Sequence, residues 1–262
     1  MAAQQLDAQH APLLVIVGPT ASGKSALAIE LAQQFNGEII CADSRTIFKG
    51  MEIGTAAPTV PEQQGIRHHL LSIVEPGQPF TVADFKQCTE AAIQDIGARG
   101  KVPILVGGSG LYIDAVLYDY QFAGQDAERS TVNTRHLAQP NQQQHQLRPD
   151  TLVLGVDVTQ EVLEQRIAAR VSHMLQDGLV DEARTCTHKY GWDIEPMKTY
   201  QPLRAYMDGE ETLDQATEKL IIKDRQLAKK QRTWFKRNNS IQWVSHPRQA
   251  VELTTTFLNN YS

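Results

Sequence analysis

The chain has 262 residues, 41% of them hydrophobic and 21% charged, with a net charge of −5. That length suits one α/β domain with a small appendage and excludes a disordered chain or a mini-scaffold. No apolar run approaches the roughly 20 residues that span a bilayer, and the negative balance argues against a protein that coats nucleic acid indiscriminately.

The first eleven residues lack the cationic start and apolar stretch of a secretory signal, so residues 1–12 read as a loose tail. Leu13–Val17, LLVIV, reads as a buried strand. It runs into Gly18-Pro19-Thr20-Ala21-Ser22-Gly23-Lys24-Ser25, which has P-loop spacing, and then into a helix from Ser25 to Phe35. In such a loop the backbone N–H groups wrap an anion, Lys24 neutralises it, and the Ser25 hydroxyl is placed to ligate Mg2+. Taken alone, the pattern predicts ATP binding.

Asn36-Gly37 stops the helix, and Glu38–Ala42 reads as a second strand that delivers Asp43-Ser44 at its carboxyl end. Ligands of open parallel sheets sit at such strand ends. Position alone leaves Asp43 as a general base, a partner of Mg2+, or a polar strand terminus. His68-His69 has no acidic or cysteine partner at ligand spacing, so no metal is assigned to it. Thr81 caps a helix reaching about Arg99, and a strand at Val102–Val106 empties into Gly107-Gly108-Ser109-Gly110. Cys41, Cys88 and Cys186 stand far apart without a CxxC pair, as expected of a reducing cytoplasm.

Residues 119–150 include the polar run QPNQQQHQ and read as a peripheral insertion or mobile segment between two parts of one core, 13–118 and 151–262. A strand at Leu152–Val156 and a helix from Thr159 to Gly178 follow. The alternation predicts an α/β fold, a P-loop NTPase-like parallel sheet covered by helices on both faces. After Gly209 one long helix carries eight basic residues between Lys219 and Arg237 against the single acid Asp224. Arg225, Lys229, Arg232 and Lys236 fall along one face of it. That stripe is either a solvated face or an anion site, and Trp234-Phe235 either stacks on bases or plugs a core. Ile241–Val244 reads as a last strand.

GPTASGKSALA, ADSRTIFKGMEIGTAAPT, GIRHHLLSIVEP, FTVADF and RGKVPILVGGSGLY, in this order, resemble the tRNA dimethylallyltransferase family. ARVSHMLQDGLVDEAR and LDQATEKLIIKDRQLAKKQRTWFKRNNSIQW extend the resemblance over the second half. The resemblance implies that the loop Gly18–Ser25 holds the diphosphate of dimethylallyl diphosphate, with Mg2+ at Ser25. It implies that the acceptor is the exocyclic amine of an adenine beside the tRNA anticodon. Asp43 would then take the proton from that amine, Thr20 would contact the diphosphate near the breaking bond, and Arg225 would clamp it from the opposite side. Contacts with tRNA are implied for Asp43, Ser44, Arg45, Thr46 and Ser109, and for Lys229, Lys230, Gln231, Arg232, Thr233, Trp234 and Lys236. A cytoplasmic monomer with no membrane partner is expected.

The chain also departs from that family. A segment that helps hold the anticodon stem has no counterpart in the short stretch between Leu111 and Leu154. The DSxQxY motif becomes Asp43-Ser44-Arg45-Thr46-Ile47-Phe48, and an IGYKE-like stretch becomes Thr199-Tyr200-Gln201-Pro202-Leu203. Prenyl transfer to free AMP or a related nucleotide would explain the missing segment. A P-loop small-molecule kinase is a further reading, though no arginine-bearing lid is visible. A tRNA-binding remnant is another, against which Lys24, Ser25, Asp43 and Arg225 stand.

Overall fold

The structure, a computed structural model, describes residues 12–122, 138–139 and 146–261. The chain runs β1 (Leu13–Val17), α1 (Lys24–Gln34), β2 (Gly37–Cys41), α2 (Glu52–Thr55), β3 (His68–His69), α3 (Val82–Ala98), β4 (Val102–Gly107), α4 (Gly110–Leu117), β5 (Gln121–Phe122) and β6 (Ala138–Gln139). It continues through β7 (Thr151–Val156), α5 (Gln160–Gln176), α6 (Leu179–Tyr190), α7 (Arg204–Met207), α8 (Leu213–Phe235), β8 (Ile241–Val244) and α9 (Pro247–Leu258). A six-stranded sheet has the order β3-β2-β4-β1-β7-β8, and every pairing in it is parallel.

β1 is central, with Leu14 in register with Ile104 of β4 on one side and Leu152 of β7 on the other. All five of its residues are buried because side chains alternate across a sheet that is covered on both faces. Leu13, Val15 and Val17 pack with Phe85, Ile93, Ile96 and Phe235. Leu14 and Ile16 pack on the opposite face with Leu27, Leu31 and Ala250. The fully apolar run LLVIV is what this double burial demands.

The expected strands and helices form, with boundaries within about two residues, the usual spread of helix and strand ends. Thr81 closes a capping box with Asp84 at the start of α3, and Thr212 closes one with Gln215 at the start of α8. Several elements escaped the sequence reading, the helices α2, α4, α6, α7 and α9 and the strand β3 among them. β3 has only two residues, too short for any periodicity, and joins the sheet edge through Ile39 and Ile40. The helical α9 follows the last strand. A separate helical core gathers Met51, Val171, Leu179, Cys186, Met197, Tyr200 and Leu220 beside the sheet. Within it the Glu182 carboxylate accepts from the Ile53 and Gly54 N–H groups and from the Tyr200 hydroxyl.

Of the expected insertion, β5 and β6 pair antiparallel, Phe122 opposite Ala138. The tail at 1–11 and the polar stretch at 140–145 lie outside the described residues. Among the described residues no helix is long and apolar enough to cross a membrane.

Glu38 organises the end of the sheet away from the phosphate loop. It is 2% exposed and accepts from both guanidinium nitrogens of Arg99 and from His69 Nε2 at 2.7 Å. Lys101 Nζ lies 2.9 Å away. His69 thus ties β3 to Glu38 of the neighbouring strand β2. The Arg99 hydrogen bonds, with those from His69 and Lys101, hold the Glu38 carboxyl far below its ordinary 4.5 in spite of burial. A carboxylate depressed in the fold adds stability above its unfolded value, and that stability is lost as pH falls below it. Glu38→Ala should cost about 3 kcal/mol, because Arg99 and Lys101 lose their shared anion and His69 its hydrogen-bond partner. Urea unfolding would read the loss at pH 7, and the gap from wild type should narrow as pH falls below about 4.5.

Candidate active site

β1 ends in the loop Gly18–Ser25, which lies where the carboxyl ends of β1, β2 and β4 converge. Gly23 takes a left-handed conformation, φ 96°, at the N-cap of α1 and offers no side-chain cap. The first-turn N–H groups of α1 therefore point to the loop, a ready anion site. Lys24 is partly buried, and its Nζ donates to the Pro19 carbonyl at 3.4 Å. Burial lowers its pKa to about 8, with Asp43 pulling it up and Arg170 pushing it down. The three charges thus feel one another. Ser25 is exposed at the start of α1.

α8 crosses this loop. The Thr20 N–H donates to Gln231 Oε1 at 2.8 Å in a buried contact. A side chain at Gly108 would meet Gln231 Nε2 at 2.3 Å, so glycine there admits the helix. Gln231 is 8% exposed and Thr20 is 8% exposed. On α5, Arg166 Nη1 donates to the Ser22 carbonyl at 2.9 Å, and Arg170 Nη1 donates to Thr20 Oγ1.

Asp43 leaves β2 beside the loop, with Oδ1 accepting from the Arg45 N–H at 3.0 Å. The Ser44 N–H donates to Ser109 Oγ at 2.9 Å, and Ser109 Oγ donates to Ser44 Oγ at 3.2 Å. Ser109 and the Asp43 turn are thus joined although 65 residues separate Ser44 from Ser109. Arg45 is close enough to Lys223 to help lower the lysine's pKa, which burial brings to about 8. Thr46 is turned inward, 8% exposed, its carbonyl accepting from the Ser72 N–H. It faces the core instead of the crevice where RNA contact was expected.

Arg225 requires correction. Expected to clamp the diphosphate, it is half exposed, and its Nη2 lies 3.5 Å from Glu164 Oε2. The reason is helical geometry: Arg225, Lys229, Arg232 and Lys236 share the outer face, one residue out of phase with Asp224, Ala228, Gln231 and Phe235, which face inward. The guanidinium at Thr20 belongs to Arg170, in the ARVSHMLQDG stretch. The sequence reading missed it because nothing in α5 marks one arginine among several. Gln231 and Trp234 also turn inward. The Trp234 indole packs over Gly110 and donates to Asp114 Oδ2 at 2.8 Å. Burial raises the Asp114 pKa to about 6. Lys229, Lys230, Thr233 and Lys236 are exposed, and Arg232 is partly so. Among the described residues no group of three His, Cys, Asp or Glu could hold a metal.

The family model for IPP transferase matches residues 46–147 and 130–238. A tRNA dimethylallyltransferase of Oceanobacillus iheyensis is 35% identical over 298 residues, with 95% of each chain covered. The chain belongs to the IPP transferase family. One of Geobacillus thermodenitrificans is 36% identical over 283 residues, covering 88% of this chain and 89% of the relative. The tRNA isopentenylpyrophosphate transferase of Bacillus halodurans has a TM-score of 0.81 at 30% identity, with 95% and 96% covered. A eukaryotic dimethylallyltransferase acting on tRNA shares the fold, with a TM-score of 0.82 at 23% identity, 95% of this chain and 80% of that one being covered. The alignment with the first relative covers 298 positions against 262 residues here, so at least 36 of its positions have no counterpart in this chain.

The lowered Lys24 pKa couples anion binding to protons. An anion in the loop favours the ammonium, so binding draws in a proton once the free lysine begins to deprotonate. Diphosphate affinity should fall as pH rises through about 8. Calorimetry at pH 8.5 in buffers of different ionisation enthalpy should show proton uptake, and Lys24→Met should abolish it.

Proposed function

We propose that this protein transfers a dimethylallyl group from dimethylallyl diphosphate to the exocyclic amine of an adenosine in tRNA next to the anticodon, releasing diphosphate. One observation carries the reading: Lys24, Arg170 and Asp43 converge on the loop, two cations for a leaving diphosphate and one carboxylate beside them. Family membership, with relatives named as tRNA dimethylallyltransferases, supports it.

The amine nitrogen attacks the first carbon of the prenyl chain, the carbon–oxygen bond breaks, and the electron pair leaves with the diphosphate. The loop N–H groups, Lys24 and Arg170 hold the growing negative charge. Thr20, fixed by Arg170 and Gln231, stands at the breaking bond. Asp43 takes the amine proton as general base. Ser25 would hold Mg2+, which would supply further neutralisation of the leaving group. The free thiols of Cys41, Cys88 and Cys186 suit a reducing cytoplasm.

On the acceptor side, Ser44, Arg45 and Ser109 line the Asp43 turn, and the outer face of α8 presents Lys229, Lys230, Arg232, Thr233 and Lys236 to the anticodon arm. The two stretches matched by the family model overlap at residues 130–147, which supports a shortened insertion in that part of the chain. The grip on the stem is therefore reduced and rests more heavily on α8. Free AMP as acceptor and a small-molecule kinase draw no support from the relatives' names.

Labelled dimethylallyl diphosphate offered with unmodified tRNA or with AMP should give product only with tRNA; product from AMP alone would overturn the proposal. Asp43→Ala should lower turnover about 100-fold or more while leaving diphosphate affinity largely unchanged. Arg170→Ala should weaken both diphosphate binding and turnover. Arg225→Ala should leave diphosphate binding within about twofold of wild type, as expected for an exposed pair.

A further inference from the structure

Asp224 is the one acid among eight basic residues from Lys219 to Arg237, and neither an RNA-facing helix nor a solvated one accounts for it. Its side chain faces inward. Oδ2 accepts from Arg170 Nη2 at 2.5 Å, and the two side chains are only 17% and 23% exposed. The other terminal nitrogen of the same guanidinium donates to Thr20 Oγ1. Arg170 Nε is buried and has no partner among the described residues.

We propose that Asp224 is a positioning residue: it fixes the plane of the Arg170 guanidinium against Thr20 before the prenyl diphosphate arrives. The inference rests on the prenyl-transfer reading above. A guanidinium is planar, so holding its two terminal nitrogens on partners from different elements, Thr20 of the loop and Asp224 of α8, fixes both position and tilt. Arg170 itself is on α5, so the contact closes a three-element lock around the loop. A donor already aimed at the place where charge develops need not reorganise during the reaction.

Asp224 has a second effect. Lys24 and Arg170 are close enough to repel, as the lowered Lys24 pKa reflects. The Asp224 carboxylate on the outer side of Arg170 offsets part of that positive charge. It therefore weakens the grip on diphosphate, product as well as substrate, while improving the orientation of the group that acts on it. A residue that only stabilised the fold would do neither.

The test compares Asp224→Asn and Asp224→Glu with wild type at saturating tRNA, varying dimethylallyl diphosphate, with pyrophosphate as product inhibitor and thermal unfolding in parallel. Asp224→Asn should lower kcat about 10- to 100-fold, the scale of a misplaced catalytic group. Its KM for the diphosphate should not rise, and pyrophosphate should inhibit it more strongly than wild type. Asp224→Glu keeps the charge and moves the carboxylate, so it should return pyrophosphate inhibition toward wild type while kcat stays low.

A kcat for Asp224→Asn within about twofold of wild type would overturn the proposal. So would a raised KM at unchanged kcat, or a loss of kcat that merely matches the unfolded fraction of the sample. A wild type that transfers no prenyl group to tRNA marks the failure of the prenyl-transfer reading instead. Direct pyrophosphate titration would then decide Asp224, since unchanged affinity in Asp224→Asn would sink it.

Discussion

The buried hydrogen bond from the Thr20 N–H to Gln231 Oε1 joins the phosphate loop to α8, elements 211 residues apart in the chain. A phosphate loop needs its N–H groups aimed and its cations close, yet cations packed near one another repel. α8 answers both needs. Its inward face carries Gln231 to the loop and Asp224 to Arg170, while its outer face carries Arg225, Lys229 and Lys236 into solvent. The helix can approach so closely because Gly108 leaves room for Gln231 and Gly110 lies under Trp234.

The sheet places the reacting groups. With β1 between β4 and β7, and β2 beyond β4, the loop, the Asp43 turn and the Ser109 turn emerge at one edge of the core. Parallel strands all deliver their carboxyl ends to the same side, so residues remote in sequence meet there. The ion cluster at Glu38 lies toward the opposite end, in contact with residues of β3 and of the turn preceding β4. Stability and chemistry are thus separated along the length of the strands.

Much of the core was legible in the residues. LLVIV, the loop spacing and the glycine stops predicted the strand, loop and helix that formed, because local propensity and burial pattern agree there. The position of Asp43 was equally visible as the mouth of a strand. Less visible were β3, too short to show a period, and the helical core around Tyr200, whose parts are scattered from Met51 through α5 and α6 to Met197, Leu203 and α8.

The sequence by itself determined the fold class, the anion site at Gly18–Ser25 and the family the chain resembles, since each is written in contiguous residues with fixed spacing. Only the tertiary structure decided which arginine serves the loop. Arg225 lies in the basic stripe that drew attention, but one helical position, about 100° of rotation, turns it outward. Arg170 is reached by the packing of α5 on α8, and no local pattern encodes that contact. The same rotation turned the lone acid of the stripe into an internal partner and turned Gln231 and Trp234 inward, off the exposed face of α8.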